Sequence, residues 1–393
     1  MIRVGFLLNF PISYKGGINY FKNLFYALNK FHSNDVKIIL FVSSGLEDEY
    51  VALFEQYAEI VKTKVIERKS FQWFVSKIGE RILRFDALTY RLLLKHQIDV
   101  VSHSNYVFPG KNIKSINWIP DFQYFHFPKL WTKKQLKATV QLHSNLIKRS
   151  DNIVLSSVAA FNDFNTEYAA YKDRVHVVNF VSQPDNELKT NLTAEEVEYI
   201  RRNYLIEGPF FYLPNQFWSH KNHIVVFKAI KILKERGFSP LLVTSGLMED
   251  YRNGDNHILK LRQLVENEKL QNNILFLGLI PYVDVLKLMI LSNCIINPSY
   301  FEGWSSTVEE AKTIGKRILL SNIGVHVEQN PSLGVYFDPD DPIDLADKME
   351  IIITDFLNES QVDIDILNND LNKRTKEFAS NYYNVLKASV LKD

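Results

Sequence analysis

The stretch CIINPSYFEGWSSTVEEAKTIGKRILLS, residues 294–321, contains the pattern that decides the fold. It opens with a short apolar run, Cys294 to Asn297, and continues through a polar loop into a helical segment that ends near Gly315. A second apolar run, Arg317 to Ser321, closes it. Short apolar runs joined by a helix are typical of parallel strands with a helical crossover. The stretch therefore predicts one βαβ unit of an α/β fold.

The same alternation extends along the whole chain. Between its halves, residues 184–208 are polar and poor in strand signals, apart from a capping box at Thr193 and Glu196 that opens a short helix. We therefore predict two α/β domains, 1–183 and 209–371, joined by a linker at 184–208. A C-terminal helix at 372–393 is expected to pack back on the first domain. The predicted strands are 3–8, 36–42, 98–102, 115–119, 152–155 and 175–180 in the first half, and 210–213, 241–244, 274–277, 294–297 and 317–321 in the second.

The composition excludes several classes of protein. The 393 residues include 46 Lys and Arg against 45 Asp and Glu, a net charge of +1, so we expect no nucleic-acid partner. The single cysteine, Cys294, cannot form an intramolecular disulfide and is expected to pack in the core. The apolar run at the start is too short for a signal peptide, and no run of about 18 apolar residues follows. These features favour a cytoplasmic location.

The segment PNQFWSHKNH, residues 214–223, directly follows a predicted strand and opens a helix. Lys221 lies at the helix start, where a positive charge opposes the helix dipole and an anion such as a diphosphate would neutralise it. A solvated lysine beside a packed tryptophan is the alternative. The carboxyl end of a strand is where α/β folds bind ligands, which favours a functional role.

The segment FEGWSSTVEEA, residues 301–311, occupies the equivalent place after the strand at 294–297. Glu302 lies in the loop and Glu310 on the helix, and carboxylates of this kind accept hydrogen bonds from sugar and ribose hydroxyls. Backbone N–H groups from Gly303, Trp304, Ser305, Ser306 and Thr307 at a helix N-terminus suit a diphosphate. The alternative is a helix start whose acidic residues only favour the dipole.

A glycine pair, Gly16 and Gly17, lies between the first predicted strand and a helix. Two glycines there allow close approach of a phosphate or sugar hydroxyl, although a tight turn explains them equally well. No GxGxxG or GxxxxGK[ST] motif occurs in the chain, so the dinucleotide and P-loop interpretations lose their main support.

Together, the EX7E spacing from Glu302 to Glu310, the PNQFWSHKNH segment and the early GGINYF resemble glycosyltransferase family 4. The resemblance implies the GT-B fold, an α/β architecture of two Rossmann-like domains with parallel sheets facing across a cleft. The first domain would bind the acceptor and the second a nucleotide-sugar donor. It further implies transfer of the sugar with retention of anomeric configuration, without a metal and with no cofactor beyond the nucleoside diphosphate sugar.

The resemblance also implies roles for individual residues. Glu302 and Lys221 would be catalytic, contacting the donor hexose and the diphosphate. Glu310 would bind the ribose hydroxyls, and Gly16, Gly17 and the segment Gly303 to Thr307 would lie near the sugar and phosphates. Gln216 stands where many family members have an arginine, so its place among the donor-binding residues depends on hydrogen bonding.

In the first domain, the family often places a histidine before an aspartate in a mid-domain loop. This chain has Pro120 before Asp121, so only the aspartate matches. We take Asp121 as a candidate catalytic residue and sugar contact, and His103, after the strand at 98–102, as a candidate acceptor contact. A loop aspartate and a buried core histidine are the ordinary alternatives.

Two further segments need interpretation. Asp338-Pro339-Asp340 spells a DxD metal motif, but its place in FDPDDP before a helix predicts a turn. Residues 62–84 contain seven Lys or Arg against two Glu, interleaved with aromatic and aliphatic residues. This composition fits either a helix that lies on an anionic membrane or a solvated basic face of an ordinary helix.

The sequence thus favours a retaining glycosyltransferase acting in bacterial-type polysaccharide, O-antigen or glycolipid synthesis. Its partners would be a nucleotide-sugar donor and a saccharide or lipid-linked saccharide acceptor, with the enzyme in the cytoplasm or at the inner face of the membrane. Two alternatives stay open: an inactive sugar- or nucleotide-binding protein of the same fold, and a sugar-nucleotide epimerase.

Overall fold

A computed structural model describes residues 1–8, 15–83, 86–108, 112–183, 192–250, 256–354 and 363–391; the side chains of residues 15 and 80–83 are not described. The chain forms two compact units. The first contains Met1–His126, Lys133–Val181 and Asn372–Asp393, and the second contains Phe127–Thr132 and Ser182–Leu371.

The first unit is built on a parallel sheet of seven described strands in the order β3-β2-β1-β4-β5-β6-β7. The direction of strand succession reverses between β1 and β4, and such a reversal opens a crevice at the carboxyl ends of the strands. The strands are β1 Ile2–Leu7, β2 Val36–Ser43, β3 Glu59–Thr63, β4 Val100–Ser102, β5 Lys114–Ile119, β6 Asn152–Leu155 and β7 Val175–Val177. The helices are α1 Lys15–His32, α2 Asp48–Glu55, α3 Phe71–Leu83, α4 Ala87–Lys95, α5 Gln123–His126, α6 Lys133–Arg149 and α7 Val158–Tyr168.

The second unit is built on a parallel sheet of six described strands in the order β10-β9-β8-β11-β12-β13, with its reversal between β8 and β11. The strands are β8 Phe210–Leu213, β9 Leu241–Thr244, β10 Ile274–Phe276, β11 Cys294–Asn297, β12 Ile318–Ser321 and β13 Gly334–Phe337. The helices are α8 Ala194–Tyr204, α9 His223–Glu235, α10 Asn256–Asn267, α11 Tyr282–Leu291, α12 Ser306–Ile314, α13 Gly324–Gln329, α14 Pro342–Thr354 and α15 Ile364–Val390.

The central strands of the second unit are mostly apolar because both faces of the sheet are covered. Phe211 and Leu213 of β8 pack into one core cluster, while Phe210 and Tyr212 pack into the cluster on the other face. Cys294 lies in the first of these clusters and is fully buried, so its predicted place in the core is confirmed. Continuous apolar runs of this kind are typical of parallel sheets with helices on both sides.

Helix α8 lies inside the segment that the sequence assigned to a linker. Its capping box is formed as predicted, with Thr193 and Glu196 bonded to each other's backbone N–H groups. Its residue Ile200 is fully buried in a core cluster of the second unit. The segment looked like a linker because the other faces of this helix are polar, whereas residues 194–208 pack as part of the second unit. Residues 184–191 lie outside the described part of the chain.

Helix α15 has residues in both units, since Asn372 and the residues after it belong to the first. Phe378, Tyr382 and Leu386 are buried there. The Tyr382 hydroxyl donates a hydrogen bond to Ser102 Oγ at 2.6 Å, and the Asn152 amide donates one to Ser389 Oγ at 2.8 Å. The last turns of the chain therefore complete the core of the first unit.

Candidate active site

Two loops meet at the strand reversal of the second unit, one after β8 and one after β11. The first carries Lys221 and the second carries Glu302. The Lys221 ammonium donates hydrogen bonds to Glu302 Oε1 at 2.7 Å and Oε2 at 2.8 Å. Only 13% and 10% of the two side chains are exposed. The structure thus brings together two of the three residues that were predicted as catalytic, in one buried ion pair, while the third, Asp121, lies in the first unit.

The charges of this pair are fixed by their surroundings. Burial alone would raise the pKa of Glu302, but the Lys221 ammonium, nearby His326 and hydrogen bonds from Lys221 and Ser299 outweigh it and lower that pKa to about 2. Glu302 is therefore a carboxylate at neutral pH, and it neutralises Lys221 in this structure.

A network of buried amides and hydroxyls holds the Glu302 loop. Asn297, the last residue of β11, accepts a hydrogen bond from the Asn215 amide at 3.0 Å and donates one to Ser305 Oγ at 2.8 Å. The Ser299 hydroxyl lies 2.8 Å from Asn297 Oδ1 and 2.7 Å from Glu302 Oε1. Because Asn215 belongs to the loop after β8, this network joins the two loops directly.

The N-terminus of α12 is also anchored. Ser305 is its N-cap, with Oγ accepting from the Val308 N–H, and Gln329 bonds both the backbone N–H and carbonyl of Ser305. The Thr307 hydroxyl lies 3.4 Å from Asn215 Oδ1. Ser305 and Thr307 thus use their side chains to build the site, and Ser306 is exposed at the helix start. Gly303 and Trp304 are partly buried in the loop between Glu302 and the cap.

The segment after β9 supports the Lys221 loop, although none of its residues was among the predicted site residues. Gln216 Oε1 accepts a hydrogen bond from the Leu247 N–H at 2.8 Å, so this side chain anchors the loop. Asp250 accepts bonds from the Ser219 N–H at 3.0 Å and hydroxyl at 2.6 Å. Gly246 has φ of 136°, and a Cβ there would lie 2.5 Å from the Asn215 carbonyl oxygen. A Ser-Gly pair directly after a predicted strand was the available signal for this close approach.

Glu310 lies on α12, is only 5% exposed and accepts a hydrogen bond from the Tyr282 hydroxyl at 2.7 Å. Burial raises its pKa, the Tyr282 bond lowers it and the Glu309 charge raises it, with a result of about 7. The two glutamates of the EX7E motif are therefore different in kind. Glu302 is stably ionised by a cation, whereas Glu310 is a buried carboxyl that titrates near neutral pH.

The remaining predicted residues belong to the first unit. Gly16 and Gly17 lie in the first turn of α1, which begins at Lys15, so they are helical residues rather than a turn before the helix. Asp121 Oδ1 accepts a hydrogen bond from the Gln123 N–H at 2.9 Å and so stabilises the start of α5. His103, just after β4, has φ of 53°.

His103 is part of a buried hydrogen-bonded chain. Ser102 Oγ lies 2.7 Å from its Nδ1, and the Tyr20 hydroxyl lies 2.9 Å from its Nε2. Burial lowers the pKa of His103 to about 3, so the imidazole is neutral. These contacts match the buried-core alternative, although its place at the strand reversal is where α/β sheets bind ligands.

Asp338-Pro339-Asp340 forms the predicted turn, because Asp338 Oδ1 accepts a hydrogen bond from the Asp340 N–H at 2.9 Å. Within the described ranges, no group of three or more His, Cys, Asp or Glu side chains is arranged to hold a metal ion. No helix in the part of the chain described here is both long and apolar enough to cross a membrane.

Curated relatives match parts of the chain. Residues 198–377 match the family model "Glycosyl transferases group 1". A stretch of 100 residues, 25% of the chain, is 28% identical to the gpi3 subunit of phosphatidylinositol N-acetylglucosaminyltransferase from Schizosaccharomyces pombe and covers 22% of that protein. Over 274 residues, 64% of the chain, it is 23% identical to O-antigen chain mannosyltransferase B of Escherichia coli, with 67% of that protein covered. The chain thus spans about a fifth of the first relative and two thirds of the second.

Solved structures match nearly the whole chain. A glycosyltransferase from Rickettsia africae superposes with a TM-score of 0.68 at 18% identity, covering 100% of this chain and 99% of that one. Anabaena HepE in complex with UDP-glucose superposes with a TM-score of 0.63 at 14% identity, covering 99% and 97%. Identities this low establish the fold alone. The fold is GT-B, and the similarity to the glycosyl transferases group 1 family lies in residues 198–377.

Proposed function

We propose that this protein transfers a sugar from a nucleoside diphosphate sugar to an acceptor hydroxyl, with retention of anomeric configuration. The observation that carries the proposal is the buried Lys221–Glu302 pair at the strand reversal of the second unit. The names of the relatives, a mannosyltransferase for O-antigen chains and an N-acetylglucosaminyltransferase, support sugar transfer in polysaccharide or glycolipid synthesis. The HepE complex supports a nucleotide-sugar donor.

In this proposal, different residues bind different parts of the donor. Lys221 and the N-terminus of α12 bind the diphosphate, Glu302 accepts hydrogen bonds from the hexose hydroxyls, and Glu310 accepts them from the ribose. Asp121 and His103 remain predicted acceptor contacts in the first unit.

The reaction breaks the bond between the anomeric carbon and the phosphate oxygen. The acceptor oxygen bonds to the same face of that carbon, and its proton passes to the leaving diphosphate. Lys221 stabilises the negative charge that grows on the diphosphate, so the proposed mechanism needs no metal ion and no protein nucleophile.

Assays with a panel of nucleoside diphosphate sugars test this proposal. We expect one donor to transfer its sugar to a saccharide or lipid-linked saccharide in the presence of EDTA, and the anomeric proton coupling in the product to match that of the donor. An inverted product would contradict the mechanism. Tight donor binding without transfer to any acceptor would instead favour the sugar-binding alternative, and conversion of the donor sugar without acceptor would indicate an epimerase.

We further propose that helix α3 lies on an anionic membrane, which would bring the enzyme to a lipid-linked acceptor. Its apolar side chains are exposed at helical spacing: Phe71 is 83% exposed, Phe74 51%, Val75 40% and Ile78 58%. Exposed large apolar residues along one helix face are unusual for a solvated helix. Exposed cations accompany them at Lys64, Arg68, Lys69 and Lys77.

Vesicle sedimentation checks this prediction. The wild type should sediment with vesicles containing anionic lipid at low salt. The free energy of membrane binding should weaken by about 1 kcal/mol per lysine or arginine as added salt screens the charges. The double variant Phe71→Ser/Phe74→Ser should bind at least tenfold more weakly. A control, Ile343→Ser/Ile366→Ser, removes two residues of similar exposure in the second unit and should bind like the wild type. Wild-type binding by both double variants, or no binding by the wild type, would refute the membrane role of α3.

A further inference from the structure

Tyr282 and Glu310 come from different elements and meet through a single hydrogen bond. Tyr282 is the first residue of α11 and 38% exposed, whereas Glu310 lies one turn into α12 and is 5% exposed. The Tyr282 hydroxyl donates to Glu310 Oε1 at 2.7 Å. Among the described residues, Tyr282 is the side chain that hydrogen-bonds Glu310. A partly exposed tyrosine thus reaches a carboxylate that is almost buried.

The groups around Glu310 include no cation in the part of the chain that the structure describes. Tyr282 faces it from α11, Tyr212 from β8, and Glu309 is its neighbour on α12. Lys312, the lysine of the same helix, lies 3.5 Å from Glu309 and bonds the Gln329 carbonyl. The Tyr282 hydroxyl is therefore the group that favours the ionised form of Glu310, while burial and Glu309 oppose it.

We propose that Tyr282 is a positioning residue for a ribose diol: its hydroxyl fixes Oε1 of Glu310, favours the carboxylate, and leaves Oε2 to accept from a ribose hydroxyl. This inference rests on the proposed donor site, which gives Glu310 its ligand. A protonated Glu310 would carry its own O–H and would accept fewer hydrogen bonds than the carboxylate. The availability of the carboxylate near neutral pH thus depends on a residue that does not itself need to touch the nucleotide.

The proposal is tested by calorimetry, which measures nucleoside diphosphate binding to the wild type and to Tyr282→Phe from pH 5.5 to 9. The wild type should bind more weakly as pH falls below about 7, because Glu310 becomes protonated. Tyr282→Phe loses a charge-assisted hydrogen bond, which should raise the midpoint of the pH dependence of affinity by about one pKa unit. The variant should then bind about five- to tenfold more weakly than the wild type at pH 7, and within about threefold of it at pH 9. The 2′,3′-dideoxy nucleotide should abolish this difference.

Tyr204→Phe is the matched control. It also removes a tyrosine hydroxyl from a carboxylate of the same unit, since Tyr204 bonds Asp284 Oδ2 at 2.6 Å. Its pH profile of nucleotide binding should match the wild type. A purely structural role for Tyr282 predicts instead an equal loss of affinity at every pH, and that outcome would overturn the inference.

The outcomes also separate this inference from the donor assignment. If nucleotides bind the wild type and Tyr282→Phe identically across the pH range, the donor site is supported and the proposed role of Tyr282 is refuted. Where no nucleotide binds the wild type at millimolar concentration, the donor site fails, and the ribose role of Tyr282 fails with it.

Discussion

Lys221→Ala should lower kcat/KM for sugar transfer by about 10³, because removal of one donor to a developing anion costs about that much in preorganised sites. The structure adds a second effect. Without the ammonium, Glu302 becomes a buried carboxylate without its cation, and the loss of one partner of a buried pair costs about 3–5 kcal/mol of stability. Steady-state kinetics together with chemical unfolding measure both effects on the same protein.

Two further variants separate charge stabilisation from folding. Lys221→Ala/Glu302→Gln removes both charges, so its stability should recover while its activity stays low. Lys228→Ala removes an exposed lysine from α9 and should change neither quantity. Glu302→Ala should also lose orders of magnitude in rate. Near-native turnover by both Lys221→Ala and Glu302→Ala would refute the assigned roles.

Glu310→Gln should make the ligand-free protein more stable at pH 8 and bind nucleotide poorly. Burial raises the pKa of Glu310 from its usual 4.5 to about 7, so the folded state binds this proton more tightly than the unfolded state does. Between those pH values the free energy of unfolding falls as pH rises. Glutamine carries no charge, so we expect a gain of about 2 kcal/mol at pH 8 that disappears by pH 5.

Urea unfolding at the two pH values and nucleotide calorimetry check this prediction. Affinity should fall about ten- to hundredfold with the loss of a charged acceptor. Glu309→Gln is the control on the same helix: Glu309 is also buried, but it accepts from Gln329 at 3.0 Å and faces Lys312, so its replacement should destabilise the protein at pH 8. A Glu310→Gln variant that is no more stable at pH 8, or binds nucleotide like the wild type, would show that this carboxyl is not held for a ligand.

The strands that the sequence missed are both at sheet edges. β3 and β13 have one neighbouring strand each, and their residues are mostly half-buried or exposed, so their apolar runs are weak. The central strands, such as β8 and β11, are buried at every residue and were predicted with correct bounds. Strands buried on both faces are the easier ones to recognise in a sequence, although the edge strands β7 and β10 were also predicted.

The site shows a similar division. Lys221 and Glu302 could be selected from the sequence because each follows a strand that ends at the same edge of the sheet. The residues that support these two, including Asn297, Asp250 and Gly246, could not be selected from the sequence. Their importance depends on contacts between loops that are 30 to 90 residues apart in the chain, such as Asn215 with Asn297 and Ser219 with Asp250. Spacing within one segment contains no information about such partners.

The end of helix α15 has a consequence for the synthesis of this chain on the ribosome. Residues 182–371 of the second unit are translated before Tyr382 and Ser389 leave the ribosomal exit tunnel, although the first unit begins at Met1. Apolar side chains of the first unit that α15 covers stay uncovered until the part of α15 after residue 371 has been translated. Phe6 is one of them, with its ring centre 6.5 Å from that of Tyr382. The first unit is therefore completed only after the second has been translated, against the usual vectorial order, and a nascent chain that stalls before residue 372 leaves the core of the first unit open to aggregation.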